Sequence, residues 1–191
     1  MGVLVDIDGD YYDSDMIDEL EQAFVKTDKT DAVLVVNKRK LHVNKAILSY
    51  HSDYFKTLFN SEFKEKSMEE IEIKDVYYVN FARLLSLVHD TPVAITDANT
   101  EYLLILADRF LFRAPKLQIE HFIIHTQDFS RRQKLILADK YNLENLLKHA
   151  IGLYNNRAAF QDFHSPYTRK FSDTLRLKMF DEFFDKYSQS L

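Results

Sequence analysis

The sequence has no cysteine and only three glycines among its 191 residues, and these shortages exclude several kinds of site. Without cysteine, disulfides, thiolate zinc ligands and cysteine nucleophiles cannot form. The glycines are Gly2, Gly9 and Gly152, so none lies between residues 10 and 151. A P-loop, a dinucleotide fingerprint and a nucleophile elbow all need glycine in their turns. We therefore expect no enzyme, no catalytic residues and no cofactor.

Long apolar runs and a basic stripe are also missing. The run Ala32–Val36 is far shorter than the roughly 20 residues that a membrane helix needs, and the first residues form no apolar signal segment. The net charge is −5, and residues 1–31 carry ten acidic side chains against two lysines. We expect neither a membrane nor a nucleic-acid partner. The lack of cysteine fits a reducing intracellular compartment, either cytoplasm or nucleus.

Apolar spacing predicts an α+β protein that becomes entirely helical after Thr96. A proline at 115 is predicted to end the first helix of a pair. The predicted strands are 3–7, 31–36, 40–43 (joined to the previous strand by a loop at 37–39), 70–74 and, at an edge, 93–95. The predicted helices are 15–26, 44–50, 53–60, 79–88, 103–111, 117–124, 135–141, 143–154 and a last one within 171–184, after a loop that contains His164, Ser165 and Pro166.

A short repeat marks the helical part of the chain. The stretch Leu104–Phe110 recurs with similar residues as Leu135–Tyr141. Two consecutive helical hairpins explain the repeat, whereas a solenoid needs at least three units. We therefore predict that the second hairpin is an extension of the domain that contains the first.

The order of strands and helices, together with several spaced residues, resembles the BTB/POZ domain family and in particular its nematode members. The resemblance covers roughly residues 31–124, with Asn44 at a position where the family has histidine. The matching residues are Asp31, Lys45, Leu48, Ser52, Phe55 and Phe59. It implies a small mixed sheet covered by helices, with a C-terminal all-helical extension. The implied segments are an acidic N-terminal segment with an amphipathic dimerisation helix at 1–30, a BTB/POZ domain at 31–126 and the extension at 127–191.

The resemblance implies a homodimeric substrate adaptor for a cullin-RING ubiquitin ligase, with a protein target that the sequence does not identify. The second helical pair is similar in position to the extension that follows the domain in cullin-ligase adaptors. Met68 and Glu70 fit the hydrophobic-x-Glu pattern of cullin-binding members; the alternative interpretation is a solvated turn before a strand. Residues 87–90 depart from the Tyr-Thr-Gly ending of many members, which favours an oligomerisation scaffold or transcription-linked module without cullin binding.

The dimer is predicted to use two apolar surfaces. Met16, Leu20 and Phe24 lie on one face of the first predicted helix, and Ile47 and Tyr50 lie on the first short helix of the BTB-like region. In an isologous dimer the same stripe is buried on both chains. The alternative for the first helix is that its apolar face packs on its own domain.

Two patterns suggest metal ions, and we expect neither to bind one. His121 and His125 have the four-residue spacing of zinc ligands, but no acidic residue lies between them and no cysteine is available nearby. The acidic stretch 6–10 resembles the start of a calcium loop, but its sixth position is Tyr11, where glycine is required.

Overall fold

The computed structural model describes residues 3–5, 11–60, 70–90, 92–163 and 171–187. The chain divides into two compact units, Met1–Gln118 and Ile119–Leu191. Within the described residues, no helix is long and apolar enough to cross a membrane.

The described residues form five strands and ten helices. The strands are β1 (Val3–Val5), β2 (Tyr11–Asp13), β3 (Ala32–Val36), β4 (Arg39–Val43) and β5 (Glu70–Glu72). The helices are α1 (Ser14–Ala23), α2 (Lys45–His51), α3 (Asp53–Asn60), α4 (Tyr78–Ser86), α5 (Asp97–Arg109), α6 (Arg113–His125), α7 (Arg131–Lys140), α8 (Glu144–Gly152), α9 (Arg157–Phe163) and α10 (Asp173–Tyr187).

The main sheet of the first unit has the order β4-β3-β5 and is mixed. Strand β3 pairs with β4 in antiparallel and with β5 in parallel orientation, so that Leu34 lies opposite both Leu41 and Ile71. These three side chains are buried. Residues directly opposite one another on neighbouring strands point to the same face of the sheet, and here that face is the buried one. Strands β1 and β2 form a separate antiparallel pair. The small mixed sheet and the helical C-terminal part agree with the predicted fold class.

The turn between β3 and β4 is one residue shorter than predicted. Val36 pairs with Arg39, which leaves only Asn37 and Lys38 between the strands. Both residues have positive φ, 48° and 67°. A two-residue turn of this kind matches the twist of a hairpin, and asparagine adopts the left-handed region more readily than most residues.

The predicted edge strand at 93–95 is wrong. This segment has no strand pairing with any described residue, because its backbone groups bond to side chains instead. The Val93 N–H donates to Ser86 Oγ at 3.0 Å, and the Ala94 carbonyl accepts from Asn99 Nδ2 at 3.2 Å. Asn99 Oδ1 also accepts the Thr96 N–H at 2.9 Å, so α5 begins six residues before the prediction.

The predicted role of Pro115 is also wrong. The helix before it, α5, already ends at Arg109, and Leu111 reverses the chain with a φ of 53°. Pro115 lies in the first turn of α6, where the backbone N–H groups have no partner within the helix. The proline therefore opens the second helix of the pair.

Ser52 joins the two helical pairs of the first unit. Its Oγ donates a hydrogen bond to the Phe110 carbonyl at 2.6 Å and accepts one from the Phe55 N–H at 3.0 Å. Ser52 also forms a β-bridge with Phe112. The buried Phe55 ring stacks on that of Phe110 with 5.9 Å between centroids and lies 5.8 Å from that of Phe112. Ser52 thus caps α3, and its hydroxyl makes a second, tertiary contact.

The second unit has its own core, which includes Leu135, Tyr154, Phe171 and Met179. Helix α9 falls in a stretch whose apolar pattern predicted no helix. The Ala159 N–H in its first turn donates to the side chain of Asn156 at 2.9 Å, and this cap compensates for the weak pattern. The loop predicted around His164–Pro166 lies outside the described residues.

We predict that Ser52→Ala lowers the free energy of unfolding by about 2 kcal/mol, because it leaves the buried Phe110 carbonyl without a donor and removes the α3 cap. Urea denaturation followed by circular dichroism measures this loss. The control is Thr57→Ala, which removes an exposed hydroxyl of the same helix that bonds only to the Asp53 carbonyl. A change of about 0.5 kcal/mol or less is expected for the control. Equal changes in both variants would contradict the role of Ser52.

Candidate interaction surfaces

The apolar face of α1 packs on its own unit. Leu20 and Phe24 are buried, and Met16 is partly buried in contact with the Arg83 guanidinium of α4. Glu21, on the same helix, forms an ion pair with Arg39 of β4. While α1 is docked in this way, Leu20 and Phe24 have almost no surface left for a second chain.

Tyr78 lies beneath the Glu21–Arg39 ion pair. The Arg39 guanidinium carbon lies 5.2 Å from the centre of its ring. Burial of the hydroxyl, reinforced by the Glu21 carboxylate and opposed by Arg39, raises the pKa of Tyr78 to about 12. The raised pKa keeps the phenol neutral well into the alkaline range.

Helix α2 exposes the other two residues predicted for the dimer. Ile47 is 45% exposed and Tyr50 is 85% exposed. Asn44 begins this helix, because its Oδ1 accepts the Ile47 N–H at 3.0 Å and its Nδ2 donates to the Lys29 carbonyl at 2.7 Å. The asparagine at the family's histidine position thus fixes the direction in which Ile47 and Tyr50 point.

A groove of about 480 Å³ brings two of the predicted dimer residues together. Phe24 and Ile47 both line it, along with Val25 and His89. The rings of Phe24 and His89 are in contact, with 5.3 Å between centroids. Val25 is exposed and follows the end of α1, off the i, i+4 stripe of the helix, so helical periodicity alone did not indicate it.

The predicted cullin-binding pair falls at the edge of what the structure describes. Met68 lies outside the described residues. Glu70 begins β5 opposite Val33, is exposed, and forms an ion pair with Lys40 of β4. Exposed ion pairs contribute between nothing and about 1 kcal/mol, so Glu70 is held only loosely by Lys40.

His121 and His125, the pair with the spacing of zinc ligands, contact each other on α6. The ring centroids lie 4.1 Å apart, and Nδ1 of His125 lies 2.8 Å from the His121 carbonyl oxygen. Because a carbonyl only accepts hydrogen bonds, this Nδ1 is the protonated ring nitrogen, and Nε2 keeps the lone pair. Across the described part of the chain, no group of three or more metal-ligating side chains of histidine, cysteine, aspartate or glutamate is assembled.

Two buried charged side chains of the second unit have structural partners. Lys134 donates to the carbonyls of Ile124 and Thr126, each at 2.9 Å, and burial lowers the pKa of Lys134. The Glu120 carboxylate accepts from the Leu146 N–H at 2.8 Å and from Asn145 Nδ2 at 3.1 Å. Both groups bond to helix ends, as buried charges must when they are retained.

The BTB/POZ domain family model matches residues 20–127, more than half of the chain. The chain belongs to the BTB/POZ domain family. The predicted family is thus confirmed, and this BTB domain is a protein-interaction module. The division of the chain at residues 30 and 126 remains a prediction.

Nematode proteins are among the relatives of this BTB chain. It is 36% identical over 122 residues to BTB and MATH domain-containing protein 38 of Caenorhabditis elegans, covering 64% of this chain and 32% of that protein. It is 33% identical over 163 residues to a BTB/POZ domain-containing protein of the same organism, covering 84% of this chain and 51% of that protein. The chain thus spans between a third and a half of the length of these two relatives.

Among solved structures, the BTB (Tramtrack and Bric a brac) domain of human gigaxonin resembles this chain with a TM-score of 0.44 and 21% identity. The alignment covers 58% of this chain and 93% of that domain.

Proposed function

We propose that this BTB chain is a homodimeric adaptor that binds a cullin scaffold and presents a target protein for ubiquitin transfer. The observation that carries the proposal is the order of parts in the chain. A BTB/POZ match at 20–127 is followed directly by the helical pair α7–α8, which is where cullin-ligase adaptors of this family have their extension.

The cullin contact is proposed at Met68 and Glu70. Methionine is an adaptable apolar anchor for a groove on a partner, and a carboxylate two residues later can orient the contact. Support comes from Glu70, whose exposed side chain forms a surface ion pair with Lys40. That surface ion pair can open at little cost when a partner offers a better donor.

The dimer contact is proposed around α2. Ile47 and Tyr50 leave much apolar surface in water, and burying it against a second copy is worth about 25 cal/mol per Å². Their exposure also means that they can be substituted without opening the core. Leu20 and Phe24 would touch the second copy only if α1 left its own unit. Phe24 contributes to the proposed dimer by lining the groove beside Ile47.

An oligomerisation scaffold without cullin binding is the second candidate. It is favoured by residues 87–90, which depart from the family's usual Tyr-Thr-Gly ending, and of which residues 88–90 line the groove next to Phe24. A scaffold would dimerise without binding a cullin, so a measurement of cullin binding distinguishes the two candidate functions.

We predict that the purified chain binds a cullin N-terminal domain and that Met68→Asp weakens this binding by several kcal/mol, because a charge would be desolvated without a partner. Isothermal titration calorimetry measures the effect. Glu70→Gln should weaken binding by a smaller amount, since it removes only a charge. The control is Leu177→Asp, which places the same charge on an exposed leucine of α10 and should leave cullin affinity unchanged.

The absence of any binding by the folded wild-type chain would contradict the cullin contact and leave the scaffold. Equal losses in Met68→Asp and Leu177→Asp would mean that added charge, rather than the proposed anchor, weakens binding.

We predict that the chain sediments at twice its own mass at micromolar concentration, and that the double variant Ile47→Asp/Tyr50→Asp sediments as a monomer. Charges at these exposed positions cannot be buried against each other across a twofold axis, yet they leave the core intact. Analytical ultracentrifugation distinguishes the two states. Tyr102→Asp is the matched control, because Tyr102 is 47% exposed on α5 and lies outside the proposed interface. A monomeric wild type, or a dimeric double variant, would contradict the α2 interface.

A further inference from the structure

Helix α10 is apolar on two opposite faces. One face holds Leu175 and Met179, which are buried in the core of the second unit. The other face exposes Leu177, Phe180 and Phe184 by 62%, 58% and 42%. The exposed residues have the spacing i, i+3 and i+7, so they form one continuous stripe along the helix.

The exposed stripe is a continuous apolar surface. The rings of Phe180 and Phe184 are in contact, with 4.5 Å between centroids, and Leu177 lies one turn before them. Single exposed apolar side chains are ordinary, whereas contiguous ones mark contact surfaces. The core of the unit does not need this stripe, because Leu175 and Met179 already anchor the helix. We refer to Leu177, Phe180 and Phe184 as the α10 ridge.

Two acidic side chains flank the α10 ridge on one side. Asp181 and Asp185 each lie about 100° around the helix from the phenylalanine that precedes them. Both are exposed, and neither forms an ion pair with a described residue, although Lys178 is only three residues before Asp181. On the same helix, Asp173 pairs with Arg176 at 3.1 Å and Glu182 pairs with Lys186 at 2.6 Å.

The ridge and its acidic flank both cost stability in the free chain. Like charges at i and i+4 destabilise a helix by a few tenths of a kcal/mol, and the ridge leaves aromatic surface in water. A single ligand removes both costs if it is apolar along one stripe and positively charged beside that stripe. An amphipathic helix with lysine or arginine on one flank has this chemistry.

A second copy of the chain in antiparallel orientation fits the α10 ridge poorly. When two copies of a helix pair in antiparallel orientation about a twofold axis, the same flank of each helix lies on the same side of the contact. Asp181 and Asp185 would then face the acidic flank of their own copies, and this repulsion opposes the apolar contact.

We propose that the α10 ridge docks an amphipathic helix of another protein, whose apolar stripe covers Leu177, Phe180 and Phe184 and whose basic flank meets Asp181 and Asp185. This proposal is independent of the adaptor proposal, because it depends neither on a cullin contact nor on the α2 dimer.

Two designed helical peptides of about 18 residues, roughly five turns, test the proposal. Both carry the same leucine stripe, with lysine on one flank in the first peptide and glutamate in the second. Fluorescence anisotropy with the full chain is expected to show roughly tenfold tighter binding of the lysine peptide, and added salt should reduce the difference.

Variants of the full chain locate the binding surface. Phe180→Ser/Phe184→Ser is expected to weaken lysine-peptide binding by roughly tenfold or more, because it removes the aromatic ridge. Asp181→Lys/Asp185→Lys is expected to reverse the preference between the two peptides, and it keeps the test valid if the serine variant does not fold. The control is Tyr102→Ser, which removes an exposed aromatic ring from α5 and should change neither affinity.

Three results would overturn the proposal. They are no binding of either peptide, equal affinities for both peptides, and binding that survives the serine double variant. Sedimentation of the same variants tests whether a second copy of the chain covers the α10 ridge. If the wild type is oligomeric and Phe180→Ser/Phe184→Ser is monomeric, the ridge binds a second copy instead.

Discussion

The first unit depends on one buried hydroxyl. Ser52 Oγ holds the start of α3 through the Phe55 N–H and the end of α5 through the Phe110 carbonyl, at 3.0 and 2.6 Å. The two bonds bring the aromatic rings of both helices into contact, so the polar joint and the apolar core stabilise each other. Alanine at this position would leave a buried carbonyl unpaired, which costs more than an ordinary hydrogen bond contributes.

The exposed surfaces follow from this joint and from the caps around it. Asn44 and the Asp31 carboxylate, which accepts the Lys45 N–H at 2.7 Å, fix the start of α2. Ile47 and Tyr50 are therefore presented from a short helix whose position is set by buried and capped groups. A rigid helix that carries exposed apolar side chains is suited to binding another protein, because little conformational freedom is lost on contact.

Much of this fold was predictable from residues that act locally. The α+β pattern, the Ser52 cap and the buried faces of β3 and β5 all follow from periodicity and capping rules. The two wrong predictions, the strand at 93–95 and the role of Pro115, concern features that local patterns do not determine. Each depends on groups distant in the sequence or on a single dihedral angle. The Val93 N–H that a strand would need donates to Ser86 Oγ. The helix that Pro115 was predicted to end already ends at Arg109, before Leu111 reverses the chain with its positive φ.

The candidate surfaces were harder to predict than the fold. A helical stripe shows which side chains share a face, but periodicity does not tell whether that face meets its own chain or another, and α1 buries Leu20 and Phe24 within its own unit. Val25 and His89 reach the same groove from the ends of two helices, so no sequence spacing links them.

Hydrogen exchange of the full chain, with and without a cullin N-terminal domain, tests the adaptor function most directly. The proposal predicts slower exchange in peptides that contain Met68 and Glu70, and unchanged exchange in peptides from α10. Unchanged exchange throughout at saturating cullin, or protection only in peptides far from residues 68–70, would contradict it.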